Sequence, residues 1–224
     1  MAESARPSAW QTVLRWSQLL IGLYGFGVAI PLMIRSDLGL GPWDAFHVGI
    51  NNLTGISIGT ASILVGLVIV IASYGLGVRP GPGTIVNMIL IGVFIDLMLP
   101  FIPEAPDWRW GVGYYAIAVV LSGASTGMYI GAGLGSGPRD GLMIAASRRT
   151  EWPVQRVRTL IELSALGAGW AMGGPVGVGT LLYALTVGPA VQLGLQLFGA
   201  LPGPARTRTP EGTYPRVGDP VAGP

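Results

Sequence analysis

The residues best suited to chemistry lie in two turns of one shared pattern. Leu38-Gly39-Leu40-Gly41-Pro42-Trp43-Asp44 recurs 96 positions later as Leu134-Gly135-Ser136-Gly137-Pro138-Arg139-Asp140. The proline suits a first helical turn, where its missing N–H costs nothing. The glycines allow a sharp bend, and the aspartate falls where the helix dipole is positive. Such an aspartate can simply satisfy first-turn N–H groups and pin the loop. Two related helix ends can also face one cavity and bind a solute, as broken helices do in transporters. Trp43 opposite Arg139 makes the two ends chemically unequal. The arginine favours an anionic group or pairs with Asp140, and Trp43 fits an interfacial anchor as well as a ligand platform.

Further candidates sit inside apolar stretches. Asp96 and its equivalent at the same offset, Gln192, are polar where lipid is expected. Glu162 follows Arg158 by four residues, so the two share a helix face as an interfacial ion pair. An intramembrane acid is also a candidate for proton or substrate coupling. Asn87 and Tyr183, equivalent at the same offset, read as packing glue. His47 is the one histidine and has no partner at catalytic spacing, which reads as interfacial. It leaves no base for a serine nucleophile at Ser136 and no His-pair zinc site, and zero cysteines remove thiolate chemistry. No enzyme, cofactor or metal is expected.

The elements that must hold these residues are membrane helices. Half of the 224 residues are hydrophobic and 11% are charged, with a net charge of +2. A soluble domain carries ~25% charged residues. Composition therefore excludes a soluble enzyme and a nucleic-acid module. Apolar runs of the length a bilayer needs, roughly 20 residues, predict spans over 16–34, 56–77, 84–102 (interrupted only by Asp96) and from 111 onward. The run from Leu163 to Ala205 is 43 residues long, too long for one crossing, and Gly173-Gly174-Pro175 divides it. The fifth and sixth spans are thus 157–172 and 179–200. All thirteen basic residues are arginine, and with six spans eleven fall on one side against Arg35 and Arg109 on the other. The positive-inside rule then makes both termini cytoplasmic.

The offset of 96 also maps Gly77, Gly81, Gly83, Thr84, Gly92 and Leu97 onto Gly173, Gly177, Gly179, Thr180, Gly188 and Leu193. The chain is predicted as two membrane repeats, 14–103 and 110–200, between a cytoplasmic segment 1–13 and a disordered tail 201–224. Three spans per repeat force the second copy upside down. The short segments 42–53 and 138–147 decide the topology: if they crossed, there would be eight spans and parallel repeats. Their length of about 18 Å and the polar Asp44, His47, Asn51 and Asn52 argue instead for short interfacial or re-entrant helices. The expected class is an all-α polytopic membrane protein.

The motifs resemble the YczE/YyaS/YitT group of bacterial inner-membrane proteins, in its YczE-like branch. The first turn carries the resemblance together with 137–143, Arg158-Thr159-x-Ile161-Glu162, 173–180 and Gly188-Pro189-x-Val191-Gln192, over residues 14–200. It implies architecture and a bacterial cytoplasmic-membrane location, and no substrate or reaction. Arg158, Glu162 and Gln192 match the pattern where packing alone would accept leucine. The leading expectation is a small secondary transporter or exporter of a small or amphiphilic molecule. Its cavity would lie between Asp44 and the Arg139-Asp140 pair, with Glu162 or Asp96 as the proton-coupling group. The rivals are a membrane scaffold and a substrate-binding subunit of a larger transporter. Partners expected are lipid and a small solute, with a homodimer compatible and nucleic acid excluded.

Overall fold

The computed structural model describes residues 8–198, and among them every regular element is helical. In chain order these are α1 (Ala9–Arg35), α2 (Pro42–Thr54), α3 (Ile58–Gly75), α4 (Pro82–Met98), α5 (Trp108–Gly131), α6 (Pro138–Thr150), α7 (Val154–Ala171) and α8 (Val178–Phe198). A single 3-10 turn, Leu99–Phe101, extends α4. The predicted tail 201–224 lies outside the described residues.

Local chemistry sets the boundaries. Ser8 and Gln11 form a reciprocal capping box at the start of α1. Asp107 caps α5 by accepting from the Arg109 and Trp110 N–H groups. Proline opens α2, α4 and α6. Gly55, at φ +75°, closes α2 in the left-handed conformation that glycine adopts without strain.

Five helices, α1, α3, α4 with its 3-10 turn, α5 and α8, are long and apolar enough to cross a membrane. The fifth stretch expected to span, α7, matches α3 at 18 residues but carries Arg156, Arg158 and Glu162.

Pairwise contacts fix the helix directions. α1 and α5 are antiparallel: Gly133, just beyond α5, faces Arg15, Gly22 packs on Ser125, and Gly111 sits on the Ser36 carbonyl. α1 and α4 run the same way, since Leu19 and Leu23 cluster with Val86 and Leu90 while Arg35 Nη2 donates to Leu99 O. α5 and α8 also run together, through Tyr115 on Gly179, Gly123 on Ala190 and Gly127 on Gly194. Small residues permit this close approach of backbones. α3 starts beside the last turns of α1 and α4, where Ile58 packs with Ile30 and Ile95. α1 thus ends, and α3 begins, at the same end of the bundle.

The turns before α2 and α6 are held by exchanged contacts. Gly83 N donates to Leu134 O at 2.9 Å, and Gly179 N donates to Leu38 O at 2.7 Å. Gly39 (φ +106°) presses on Gly177 and Thr180, and Gly135 (φ +137°) presses on Gly81 and Thr84. Each contact becomes the other when 96 is added to one residue and subtracted from its partner. A side chain at Gly39 would be strained by φ and would meet Gly177 N at 2.5 Å.

The halves differ in one seam. α3 packs along α4, and a Cβ at Gly92 would lie 2.5 Å from Gly59 O. α7 and α8 are parted, and among the described residues a Cβ at Gly188 would meet nothing within 4 Å. α8 instead lies on α5, its last turn tied by Gln18, whose Nε2 donates to Met128 O and Phe198 O at 3.0 Å each.

Candidate functional site

The first turns of α2 and α6 meet inside the bundle. The Arg139 guanidinium carbon lies 5.0 Å from the centre of the Trp43 ring, a cation–π contact between two equivalent positions at which the motif copies differ. The start of α2 abuts α8, since a Cβ at Gly41 would lie 2.8 Å from the Tyr183 ring. At the start of α6, Asp140 Oδ2, Asn87 Oδ1 and the Tyr129 hydroxyl all come within 3.5–3.7 Å of the position a Gly137 Cβ would take. Tyr115 closes the other side, its hydroxyl donating to Gly179 O.

Asp44 and His47 form the core of this centre. They are one turn apart on α2, 5% and 1% exposed. His47 Nδ1 is 4.0 Å from Asp44 Oδ1, beyond hydrogen-bond reach. Asp44 Oδ1, both His47 nitrogens and Trp43 Nε1 are buried without a hydrogen-bond partner among the described residues. Buried polar atoms are almost always satisfied, so four orphans on one short helix call for an explanation. Burial holds the Asp44 carboxyl above the ordinary carboxylate range, against the pull of Arg139. Burial also holds the His47 imidazole well below its usual range, and Arg139 pushes the same way. Both shifts favour the uncharged forms.

α7 supplies the outer part of the site. Arg158 Nε donates to Glu162 Oε1 at 2.9 Å, with the carboxylate side chain 31% exposed. Arg158, Arg139 and Glu162 all act electrostatically on Asp140. A chain of ionisable groups thus runs from the partly exposed Arg158–Glu162 pair through Asp140 and Arg139 to Asp44. Such an arrangement can bind a solute carrying both donors and acceptors, and can exchange protons at its carboxylates. Among the described residues no group of three or more His, Asp or Glu could hold a metal ion.

Residues 13–195 match a family of unknown function, DUF6198. The chain is 40% identical over 188 residues to the "Uncharacterized membrane protein YczE" of Bacillus subtilis (strain 168), covering 83% of this chain and 87% of the relative. It is 31% identical over 202 residues to an "Uncharacterized protein" of Haemophilus influenzae (strain ATCC 51907 / DSM 11121 / KW20 / Rd), covering 87% and 93%. The "Uncharacterized protein YyaS" of Bacillus subtilis (strain 168) matches at 27% over 166 residues, covering 72% and 83%. The chain belongs to the DUF6198 family. No solved structure matches. The YczE-like resemblance of the motifs is borne out, and this DUF6198 chain is a multi-pass membrane protein.

Of the residues singled out from sequence, Trp43, Asp44, Arg139, Asp140, Arg158 and Glu162 come together in this DUF6198 chain. Asp96 and Gln192 do not join them. The Asp96 carboxylate accepts from Gly59 N at 2.8 Å and from the Ser57 hydroxyl at 2.5 Å, so it caps the start of α3. Gln192 is exposed on α8. His47, expected at the interface, is instead buried beside Asp44 because α2 tucks its polar face inward. Its i+3 spacing from Asp44 was the available signal. Asn87, Tyr115, Tyr129 and Tyr183 also line the centre, and only the Asn87–Tyr183 equivalence hinted at a shared place.

Proposed function

We propose that this protein is a small secondary transporter of the bacterial cytoplasmic membrane, built as two inverted repeats of three crossings with both termini cytoplasmic. In this arrangement α1, α3, α4, α5, α7 and α8 cross, and α2 and α6 are re-entrant. The parallel course of α1 and α4 supports six crossings, since an extra crossing by α2 would reverse α4. The exchanged hydrogen bonds and antiparallel α1 and α5 support a two-fold axis in the membrane plane. Transporters built this way bind solute near the midplane, at the ends of discontinuous helices.

The observation that carries the function is the meeting of the two motif helices around buried, unpartnered Asp44 and His47. A folded protein leaves polar groups unsatisfied at a cost, and sites that accept a ligand are where that cost is tolerated. Glu162, half-way out along α7, is the proton-coupling group on this account. The cargo is a small or amphiphilic solute.

The test is thermal unfolding of the purified protein in detergent against a panel of small organic solutes and amphiphiles, each followed by counterflow in proteoliposomes. A bound solute stabilises by RT ln(1 + [L]/Kd), about 2.7 kcal/mol at a hundredfold excess over Kd. At least one compound should raise Tm and undergo counterflow, and Asp44→Asn should remove both. A panel that shifts neither protein, or both alike, would favour a scaffold that carries nothing.

A further inference from the structure

The two repeats are equivalent in sequence register, yet only one has its outer seam closed. In the first repeat Gly92 lets α4 lie against α3, with Ile63 Cγ1 2.5 Å from the place of its Cβ, and Asp96 caps the first turn of α3. The same register in the second repeat gives Gly188 and Gln192 on α8 facing Thr159 and Gln155 on α7. Here Gly188 faces open space and Gln192 is exposed. A glycine in a helix costs stability and is retained where another backbone must come close. Gly188 has that form without the neighbour. It is followed by Pro189, whose missing N–H frees a carbonyl one turn back and lets α8 bend at that point.

The parted seam leaves Leu163 on α7 and Leu185 on α8 at 59% and 74% exposure, against 43% and 41% for their equivalents Leu67 and Ile89 on the packed α3 and α4. Its floor carries the Arg158–Glu162 pair, which leads to Asp140. Apolar walls and a charged floor fit an amphiphile, its tail between the helices and its polar head at the ion pair. We propose that the α7–α8 seam is a lateral portal for an amphiphilic solute, and that it closes by bringing Gly188 and Gln192 onto the first half of α7. The structure is then the state open at the α7–α8 seam and shut at the α3–α4 seam. Closing would trade part of the α8 packing on α5, including the Gln18 bonds, for packing on α7. This rests on the transporter proposed above and assigns its gate and its class of cargo.

The experiment is disulfide cross-linking in proteoliposomes, for which the cysteine-free chain is a clean background. Gly66→Cys/Met88→Cys in the shut seam is the control, since a Gly66 Cβ would lie 3.7 Å from Met88 Cβ, within disulfide geometry. Thr159→Cys/Gly188→Cys tests the portal. The control should cross-link at once, and the portal pair should cross-link slowly as the seam closes transiently. No cross-link in the portal pair, with both thiols still open to a membrane-permeant maleimide, would overturn the gate and leave the six-crossing transporter standing. Immediate and complete cross-linking would overturn it too, by removing the open state. A nitroxide on Gly188→Cys should collide with dissolved oxygen far more than with a water-soluble nickel chelate. The reverse would make the seam an aqueous vestibule and overturn the lateral route.

Discussion

At the scale of single residues, the account turns on α2, where three side chains keep polar atoms buried and unpaired. Holding an acid in such a place, either protonated against its ordinary preference or charged and unpaired, is a stability cost that a neutral amide of the same shape reduces. Asp44→Asn is therefore expected to raise stability by about 1 kcal/mol, which is roughly 2–4 °C in Tm for a chain this size, while losing all ligand-induced stabilisation. Thermal unfolding with and without the ligand checks both. A fall in Tm would mean that Asp44 holds the loop together and nothing more. The motif aspartates, Trp43 and Arg139 were legible because a repeated Gly-x-Gly-Pro-x-Asp turn has few structural uses. His47, Tyr115 and Tyr183 were not. Their roles depend on which helix face the tertiary packing turns inward, and a lone histidine or tyrosine carries no spacing signal of its own. Asp96 stands apart from the other candidates for a related reason. Sequence shows an acid in an apolar helix, but only packing shows that the N–H of Gly59 is there to receive it.

At the scale of elements, equivalent positions in the two repeats make unequal demands. Gly92→Ala would force a methyl group against Gly59 O and Ile63, and overpacking of this kind costs about 1–3 kcal/mol. Gly188→Ala meets empty space in this state and gains helix propensity, so its effect should stay within ~0.5 kcal/mol. Unfolding of the two variants side by side checks the contrast, and equal losses would show that α8 packs on α7 as its resting state. Asp96→Ala leaves the Ser57 N-cap of α3 in place but removes the acceptor of the Gly59 N–H and the Ser57 hydroxyl, and should cost about 1 kcal/mol, in the usual range for a lost hydrogen bond. On this account it leaves ligand-induced stabilisation intact, as a coupling carboxylate would not. Element boundaries were legible to within a few residues, except that α1 begins at Ala9, seven residues before the predicted span. Span 157–172 is α7, Val154–Ala171, and the segment 42–53 is α2, Pro42–Thr54. Charge spacing and Gly-Pro punctuation are strong signals in a chain with so few charges. The parted seam between α7 and α8 was not legible, because the repeat pattern at Gly92 and Gly188 is the same whether or not a partner is present.

At the scale of the whole molecule, the offset of 96 residues returns as paired contacts: Gly83 to Leu134 and Gly179 to Leu38. Reciprocal bonds of that kind arise when two copies of one unit face each other across a two-fold axis. The sequence left six inverted or eight parallel crossings open, since arginine counts barely separate them. The directions of α1 and α4 favour six. The measurement that tests this most directly is labelling of single cysteines by an impermeant maleimide in intact cells. Leu76, in the turn between α3 and α4, and Pro106, just before α5, are both exposed and available for substitution. Six crossings with cytoplasmic termini predict that Leu76→Cys is protected and labels only after permeabilisation, while Pro106→Cys labels in whole cells. Labelling at position 76 with protection at position 106 would make the repeats parallel, and would contradict the inverted architecture on which the transporter rests.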